Sequence, residues 1–282
     1  MKSKKRLILA MLCLLFMMTV LPLQTFAAGE TITLDFSSKK IKVGTSVTLT
    51  ATVTGESATV TWKSSNPKIA SVSSTGVVTA KKAGNVTITA TANGKKAKCV
   101  IKVKKKSYKE LYKEFLEQSR VNAGKDGTCV PGHFCILNVN RKGVPELIIT
   151  DKYAYSTLTF YVYTVRNNKV YYLGSCSGKG MSDSTVYYCK KYKGIYVGGW
   201  INGVGGSWEA YYGMNSAGKK LVRKQHATSY MSDGTNYIGT TDSQSKKVSS
   251  SKASSFCKKY FKDSLIKKYA MLENTAENRE KI

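Results

Sequence analysis

Histidine is nearly absent: the 282 residues contain only His133 and His226. Carboxylates are also scarce, 17 against 45 lysines and arginines, and the sequence offers no evident close pair of them. Both shortages argue against acid–base hydrolysis. Aromatic residues are missing from most of the first hundred positions. Residues 29–104 hold only Phe36 and Trp62, while all 18 tyrosines lie at or after Tyr108. Beyond residue 28 there is no second apolar run fit to span a membrane, and no C-terminal sorting motif. A phosphate loop is lacking too. Gly203-Val204-Gly205-Gly206 leads into another expected strand at Ser207-Trp208-Glu209, with no helix N-terminus to hold an anion.

What is present begins with an export signal. Lys2, Lys4, Lys5 and Arg6 precede an apolar stretch over 7–20, and Thr25-Phe26-Ala27 makes a small-residue cleavage site near Ala27 and Ala28. Cys13 lies inside the apolar stretch, in a poor lipoprotein context, and leaves with the signal. The expected mature chain is released or held non-covalently at the wall. It is long enough for two domains, and the aromatic shift places their boundary at the charged connector 102–107. The formal charge of +28 divides as +4 in the signal, +9 in 29–104 and +15 in 105–282. Such a balance suits an anionic surrounding or, equally, a merely solvated lysine surface. No base-reading motif accompanies the charge, so nucleic acid is not an expected partner.

In the first region Val47, Leu49, Ala51 and Val53 alternate with threonines, as in a strand with one buried face. Val60 and Trp62 continue the inward set until Ser64-Ser65-Asn66-Pro67 stops it. Ser74-Thr75-Gly76 is an expected tight turn with glycine at positive φ. Short strands follow at 77–80 and 85–92. On the last strand Ala97, Cys99, Ile101 and Val103 share one face, which makes Cys99 a core thiol. The pattern predicts an all-β sandwich. The motifs TWKSSNP, IASVSSTGVVTAKKAG and NVTITATA closely resemble the bacterial immunoglobulin-like domain, group 2, over 31–104. The resemblance implies an adhesion or spacer module of bacterial surfaces without catalytic residues.

The second region, 105–282, reads as α+β: a helix, an antiparallel β-meander and a second helix. Ser107 opens the first helix with a capping box to Glu110, and Tyr108, Leu111, Tyr112 and Phe115 recur at helical spacing. Strands are expected at 134–139, 146–150, 158–165, 170–174, 185–190, 194–200, 208–213 and 219–223, with hairpin turns at Asn167-Asn168 and Lys193-Gly194. From Ser251 a closing helix places Phe256, Cys257, Tyr260, Phe261, Leu265 and Tyr269 on one side. Residues 275–282 are polar and expected to fray.

Residues 134–150, FCILNVNRKGVPELIIT, resemble the D-x-D-x-D-G-x-x-E-L segment of secreted Gram-positive proteins, in which a calcium-type loop joins two strands. Asn138, Asn140, Lys142, Gly143 and Glu146 occupy the matching positions. Two aspartates have become asparagines and a third is lysine, so the expectation is that metal binding is lost and no cofactor is held. Weak residual calcium binding stays open. So does a Lys142 ammonium in the ion's place, bridging Glu146 with the carbonyls of Asn138 and Asn140. A plain β-turn with Gly143 at positive φ is preferred to both.

Candidate chemistry is sparse. Gly174-Ser175-Cys176-Ser177-Gly178 has the form of a cysteine nucleophile elbow but lacks a following helix, so a glycine-rich hairpin loop is preferred. Cys129, His133 and Cys135 form a C-x3-H-x-C cluster short of a fourth zinc ligand. The six cysteines of the mature chain allow 15 pairings, and spacing selects none. Trp200, Trp208 and Tyr211, with Asn202 and Glu209, suit a sugar: rings pack on pyranose faces while the polar pair bonds hydroxyls. The alternative is that these rings fill the sheet core. The sequence thus points to a secreted or wall-associated protein of a Gram-positive bacterium, non-enzymatic, binding a cell-wall polymer or glycan through residues 105–282. A secreted hydrolase using Cys176 or His133 and a structural spacer are the alternatives.

Overall fold

The computed structural model describes residues 30–55, 58–139, 143–153, 158–178, 185–200, 205–239 and 245–282, excepting the side chain of Trp200. The chain divides into two compact units, with the second running from Lys106 to Ile282. The signal and its cleavage residues Ala27 and Ala28 lie outside the described residues.

The first unit contains β1 (Thr31–Leu34), β2 (Ser38–Lys42), β3 (Ser46–Thr48), β4 (Ala51–Thr54), β5 (Thr61–Ser64), β6 (Ala70–Val72), β7 (Val77–Ala80), β8 (Gly84–Ala92) and β9 (Lys95–Lys104). They form sheets of order β2-β9-β8-β5 and β3-β7-β6, with β1 paired to β4. Alternate residues of β8 and β9, among them Val86, Ile88, Cys99, Ile101 and Val103, meet Leu49, Ala70 and Val78 in one core. Cys99 is fully buried, and burial raises its pKa. The expected single strand through 47–53 is in fact two, because the chain changes sheets at Leu49–Thr50. β3 pairs with β7 and β4 with β1, and Leu49 is buried at the crossing. Gly76 has φ +81°, and a Cβ there would strike the Leu49 carbonyl and the Trp62 ring. Glycine is therefore required both by backbone conformation and by space.

The second unit opens with helix α1 (Tyr108–Leu116), followed by β10 (Val121–Asn122), β11 (Thr128–Cys129), β12 (Pro131–Leu137), β13 (Glu146–Asp151), β14 (Leu158–Arg166) and β15 (Lys169–Gly178). Then come β16 (Thr185–Cys189), β17 (Gly194–Trp200), β18 (Gly206–Met214), β19 (Leu221–Tyr230), β20 (Asn236–Gly239) and β21 (Lys246–Val248). Helix α2 (Ser250–Tyr260), β22 (Ile266–Ala270), β23 (Leu272–Glu273) and helix α3 (Ala276–Arg279) complete it. The strands are antiparallel, but they do not make one meander. Apart from the two-stranded pair β10-β11, they divide into a five-stranded sheet, β15-β14-β13-β12-β23, and a seven-stranded sheet, β21-β20-β19-β18-β17-β16-β22.

The two sheets pack face to face. Leu158, Phe160 and Val162 from β14 meet Val186, Tyr188, Ile195, Val197 and Ala210 in a shared core. The outer face of the five-stranded sheet, with Leu147, Ile149 and Tyr163, receives Tyr112 and Leu116 of α1. The outer face of the seven-stranded sheet, with Cys189, Tyr196 and Tyr211, receives Phe256, Cys257 and Tyr260 of α2. The result is four layers, helix, sheet, sheet and helix. A strand covered on both faces favours a continuous apolar run, which is why β13 carries Leu147, Ile148 and Ile149 in succession, all buried.

The capping box of α1 is formed as the sequence predicts: the Glu110 N–H donates to Ser107 Oγ, and the Ser107 N–H to Glu110 Oε2. The Asn167-Asn168 turn has its expected conformation, both residues at positive φ. The expected Lys193-Gly194 turn is instead four residues, 190–193, with Lys193 at positive φ and Gly194 already paired with Cys189 in β17. The closing helix is shorter than expected. It stops at Tyr260, and Tyr269 belongs to β22, which pairs with β16 and forms the edge of the seven-stranded sheet. Residues 275–282 do not simply fray: Thr275 caps α3, Arg279 donates to Asn274 Oδ1, and Ile282 packs on the core beneath α1. One segment thus closes both sheets, with β22 at the edge of one and β23 at the edge of the other.

Candidate functional site

The sheet separates the residues of the expected sugar platform. Side chains alternate along β18, so Trp208 packs against the core between the sheets while Tyr211 points to the opposite face. Tyr211 is fully buried there, in ring contact with Tyr192, Tyr196 and Phe261. Glu209 accepts a hydrogen bond from Tyr196 Oη at 2.8 Å. Burial raises its pKa, partly offset by hydrogen bonds from Tyr196 and Cys257, and Asp263 adds to the rise. Burial and the Glu209 charge in turn push the Cys257 thiol up to about 11. Asn202 and the Trp200 side chain lie outside the described residues. Trp208 and Tyr211 therefore do not form one platform: the core reading holds for Tyr211 and half-buried Trp208 contributes to the core as well.

The segment resembling a calcium loop joins β12 to β13, and Asn140 and Lys142 fall outside the described residues. Gly143 has φ +69°. Glu146 is almost wholly buried, and its Oε2 accepts the Val139 N–H at 2.8 Å. It thus organises the turn's own backbone. Asn138 is partly exposed, but its Oδ1 is buried without a hydrogen-bond partner. Among the described residues no three His, Cys, Asp or Glu side chains cluster as metal ligands.

The cysteine candidates are scattered by the same alternation. Cys129 faces the core under α1, whereas Cys135 packs toward the core between the sheets. They lie on opposite sides of the five-stranded sheet, so they do not share an ion with His133. Cys176 stands within β15, paired with Phe160, and its thiol is buried in the intersheet core with its pKa pushed well above the ordinary range. The stretch 174–178 is thus strand, neither elbow nor loop. All six described cysteines are free thiols.

Sequence reading missed the partition of charge between the two sheets. Residues 106–178 and 271–282, the stretches that contain the five-stranded half, carry twelve lysines and arginines with nine carboxylates. On this half lie the ion pairs Lys106–Glu114 (2.6 Å), Lys113–Glu280 (2.8 Å), Lys281–Glu277 (3.5 Å) and Arg279–Glu117 (3.9 Å). Residues 185–268, which build the seven-stranded half, carry fifteen cations and four carboxylates. One of those four is Glu209, engaged by Tyr196. Three lysines instead stand over tyrosine rings: Lys259 over Tyr260 (5.1 Å), Lys191 over Tyr192 (5.3 Å) and Lys268 over Tyr187 (5.7 Å). The ring quadrupoles and aliphatic stems hold these ammonium groups at the surface without neutralising them. Run composition over 185–268 would have found this imbalance. Its coincidence with one sheet required the topology.

Comparison with known proteins bears on the first unit. Residues 29–101 match the model of the bacterial Ig-like domain (group 2), as the motifs around Trp62 and Gly76 imply. Among solved structures, the chain is similar to domains 5-6 of the S-layer protein SbsC. That similarity is at 14% identity and a TM-score of 0.24, covering 77% of this chain and 94% of that one. No curated protein matches the chain. No helix among the described residues is long and apolar enough to cross a membrane.

Proposed function

We propose that the chain is a non-enzymatic binding protein of the bacterial cell surface, in which the second unit holds an anionic polymer of the envelope. The observation that carries this reading is the uncompensated charge of the seven-stranded half, fifteen cations against four carboxylates on one sheet and its helix. A surface of that kind concentrates a polyanion and is sensitive to ionic strength. The bacterial Ig-like first unit supports a cell-surface setting. The burial of Cys176 and the separation of Cys129 from Cys135 weigh against a hydrolase using those groups.

The test is co-sedimentation of residues 29–282 with purified Gram-positive walls, before and after extraction of teichoic acid. Expected is binding that falls on extraction. It also falls as salt rises from about 0.1 to about 1 M, over which the screening length shrinks from about 10 to about 3 Å. Binding that survives both treatments overturns the reading.

A further inference from the structure

The charge of the seven-stranded half is concentrated at one end of its sheet. There the β16–β17 turn faces the loop between β18 and β19. The turn carries Lys190, Lys191 and Lys193, and the loop carries Lys219 and Lys220, with Lys224 just inside β19. Between them is a cleft of about 450 Å³, walled by Tyr192 and Lys193 on one side and Asn215, Ser216 and Gly218 on the other, with Lys224 also lining it. That volume falls within the range of small-ligand sites, about 300–1,000 Å³. No carboxylate among the described residues lines it. Among the described residues, none of these six lysines makes an ion pair with a carboxylate.

The cleft is built rather than incidental. Gly213 brings its walls together: a Cβ there would lie 2.6 Å from the Lys193 carbonyl oxygen and 3.4 Å from the Lys224 side chain. Lys193 itself is held at φ +50°, a conformation that a residue with a side chain adopts at a cost. The opposite loop is pinned from within. Asn215 Oδ1 accepts the N–H groups of Lys219 and Lys220, and the Asn215 carbonyl accepts the Gly218 N–H at 2.9 Å. Arg166 of the five-stranded sheet donates to the Gly218 carbonyl, tying the loop to the other layer. Tyr192 is fixed by its ring contacts with Tyr211 and Tyr260 and by a hydrogen bond to the Lys259 carbonyl.

A fixed cleft lined by two lysines, Lys193 and Lys224, and by the Tyr192 ring fits a singly charged oxyanion carried on a short carbon chain. We propose that it seats one phosphodiester of a polyol-phosphate polymer. In this arrangement Lys193 and Lys224 donate to the phosphate oxygens, and Tyr192 packs on the polyol carbons. Lys219 and Lys220 at the rim draw in the neighbouring repeats. Lysine serves such a contact as a mobile point charge, without the planar fit of arginine. The assignment rests on the proposed function, since it names the polymer and the place where it sits.

The experiment uses residues 29–282 and soluble poly(glycerol phosphate), with phosphatidylglycerol vesicles and dextran as separate probes, followed by calorimetric titration. Two double variants remove equal charge: K193Q/K224Q in the cleft and K258Q/K259Q on α2. The expected result is poly(glycerol phosphate) binding weakened roughly tenfold or more by the cleft pair and only slightly by the α2 pair, at unchanged melting temperatures. Equal loss from both pairs overturns the cleft and leaves the charged face standing. Binding to vesicles but not to the soluble polymer overturns it in favour of a lipid headgroup. Absence of binding to every phosphate probe overturns the cleft and the proposed function together. If K193Q/K224Q lowers the melting temperature, K193R/K224R decides: restored binding supports the cleft, and continued loss counts against it.

Discussion

The two halves of the second unit share one core yet treat charge in opposite ways. The five-stranded half, with α1 and α3, places carboxylates within reach of its lysines. The seven-stranded half, with α2, leaves its lysines to solvent and to tyrosine rings. The pairs on the first half are at best half-buried and worth little individually, at most about 1 kcal/mol each, so the contrast is not a stability device. Keeping like charges together on a folded surface opposes folding. The apolar core between the sheets must offset that self-repulsion. A surface kept charged against its own stability is what a polyanion-binding face requires.

The largest expected effect breaks the comparison at its joint. Phe160 is fully buried in the core that both sheets share, so Phe160→Ala should cost about 3–5 kcal/mol. Urea unfolding followed by tyrosine fluorescence and by amide signals from each sheet should still show one coincident transition. Two separate transitions would mean that the halves are independent. A smaller effect compares the two helices. Ser107 is reciprocally boxed with Glu110, while Ser249 Oγ accepts the Lys252 N–H at 3.4 Å and shares a hydrogen bond with Ser251 Oγ, with no reciprocal bond back to its own N–H. Ser107→Ala should cost about 1 kcal/mol and Ser249→Ala clearly less, as read from denaturant midpoints.

The smallest effect concerns Glu209, a half-buried carboxylate of the cationic half. Because burial raises the folded-state pKa of Glu209, the native chain binds its proton more tightly than the unfolded chain does. Its contribution therefore worsens as pH rises from the unfolded value, about 4.3, through the folded one, and the full penalty is present above that. Glu209→Gln should flatten this part of the stability–pH curve and leave the protein no less stable at neutral pH. Thermal melts from pH 4 to 7 check the slope. A decline of unchanged steepness in the variant would show that another group is responsible.

Much of the local structure was legible in the sequence, because its signals act over a few residues. The capping box at Ser107, the Asn167-Asn168 turn, the glycine at 76 and the alternation that buries Cys99 are all short-range rules. What could not be read was which strand faces which. The strands of β12–β15 and β16–β21 carry the same alternating tyrosines and valines, and nothing in that pattern announces that the sheet breaks after β15. For the same reason Trp208 and Tyr211, three positions apart, looked like neighbours on a platform. An odd separation on a strand sends them to opposite faces. The lysine cleft was invisible because its two sides are turns some twenty-five residues apart, brought together only by strand register.

The segment carrying β22 and β23 also makes long-range closures in both sheets of the second unit. Neither sheet of the second unit has its complete edge until residues 266–273 are available to pair with β16 and β12. The partners of those strands lie far back in the chain, and such long loops are slow to close. The sheet edges are thus sealed by pairings of long sequence separation, which slows folding.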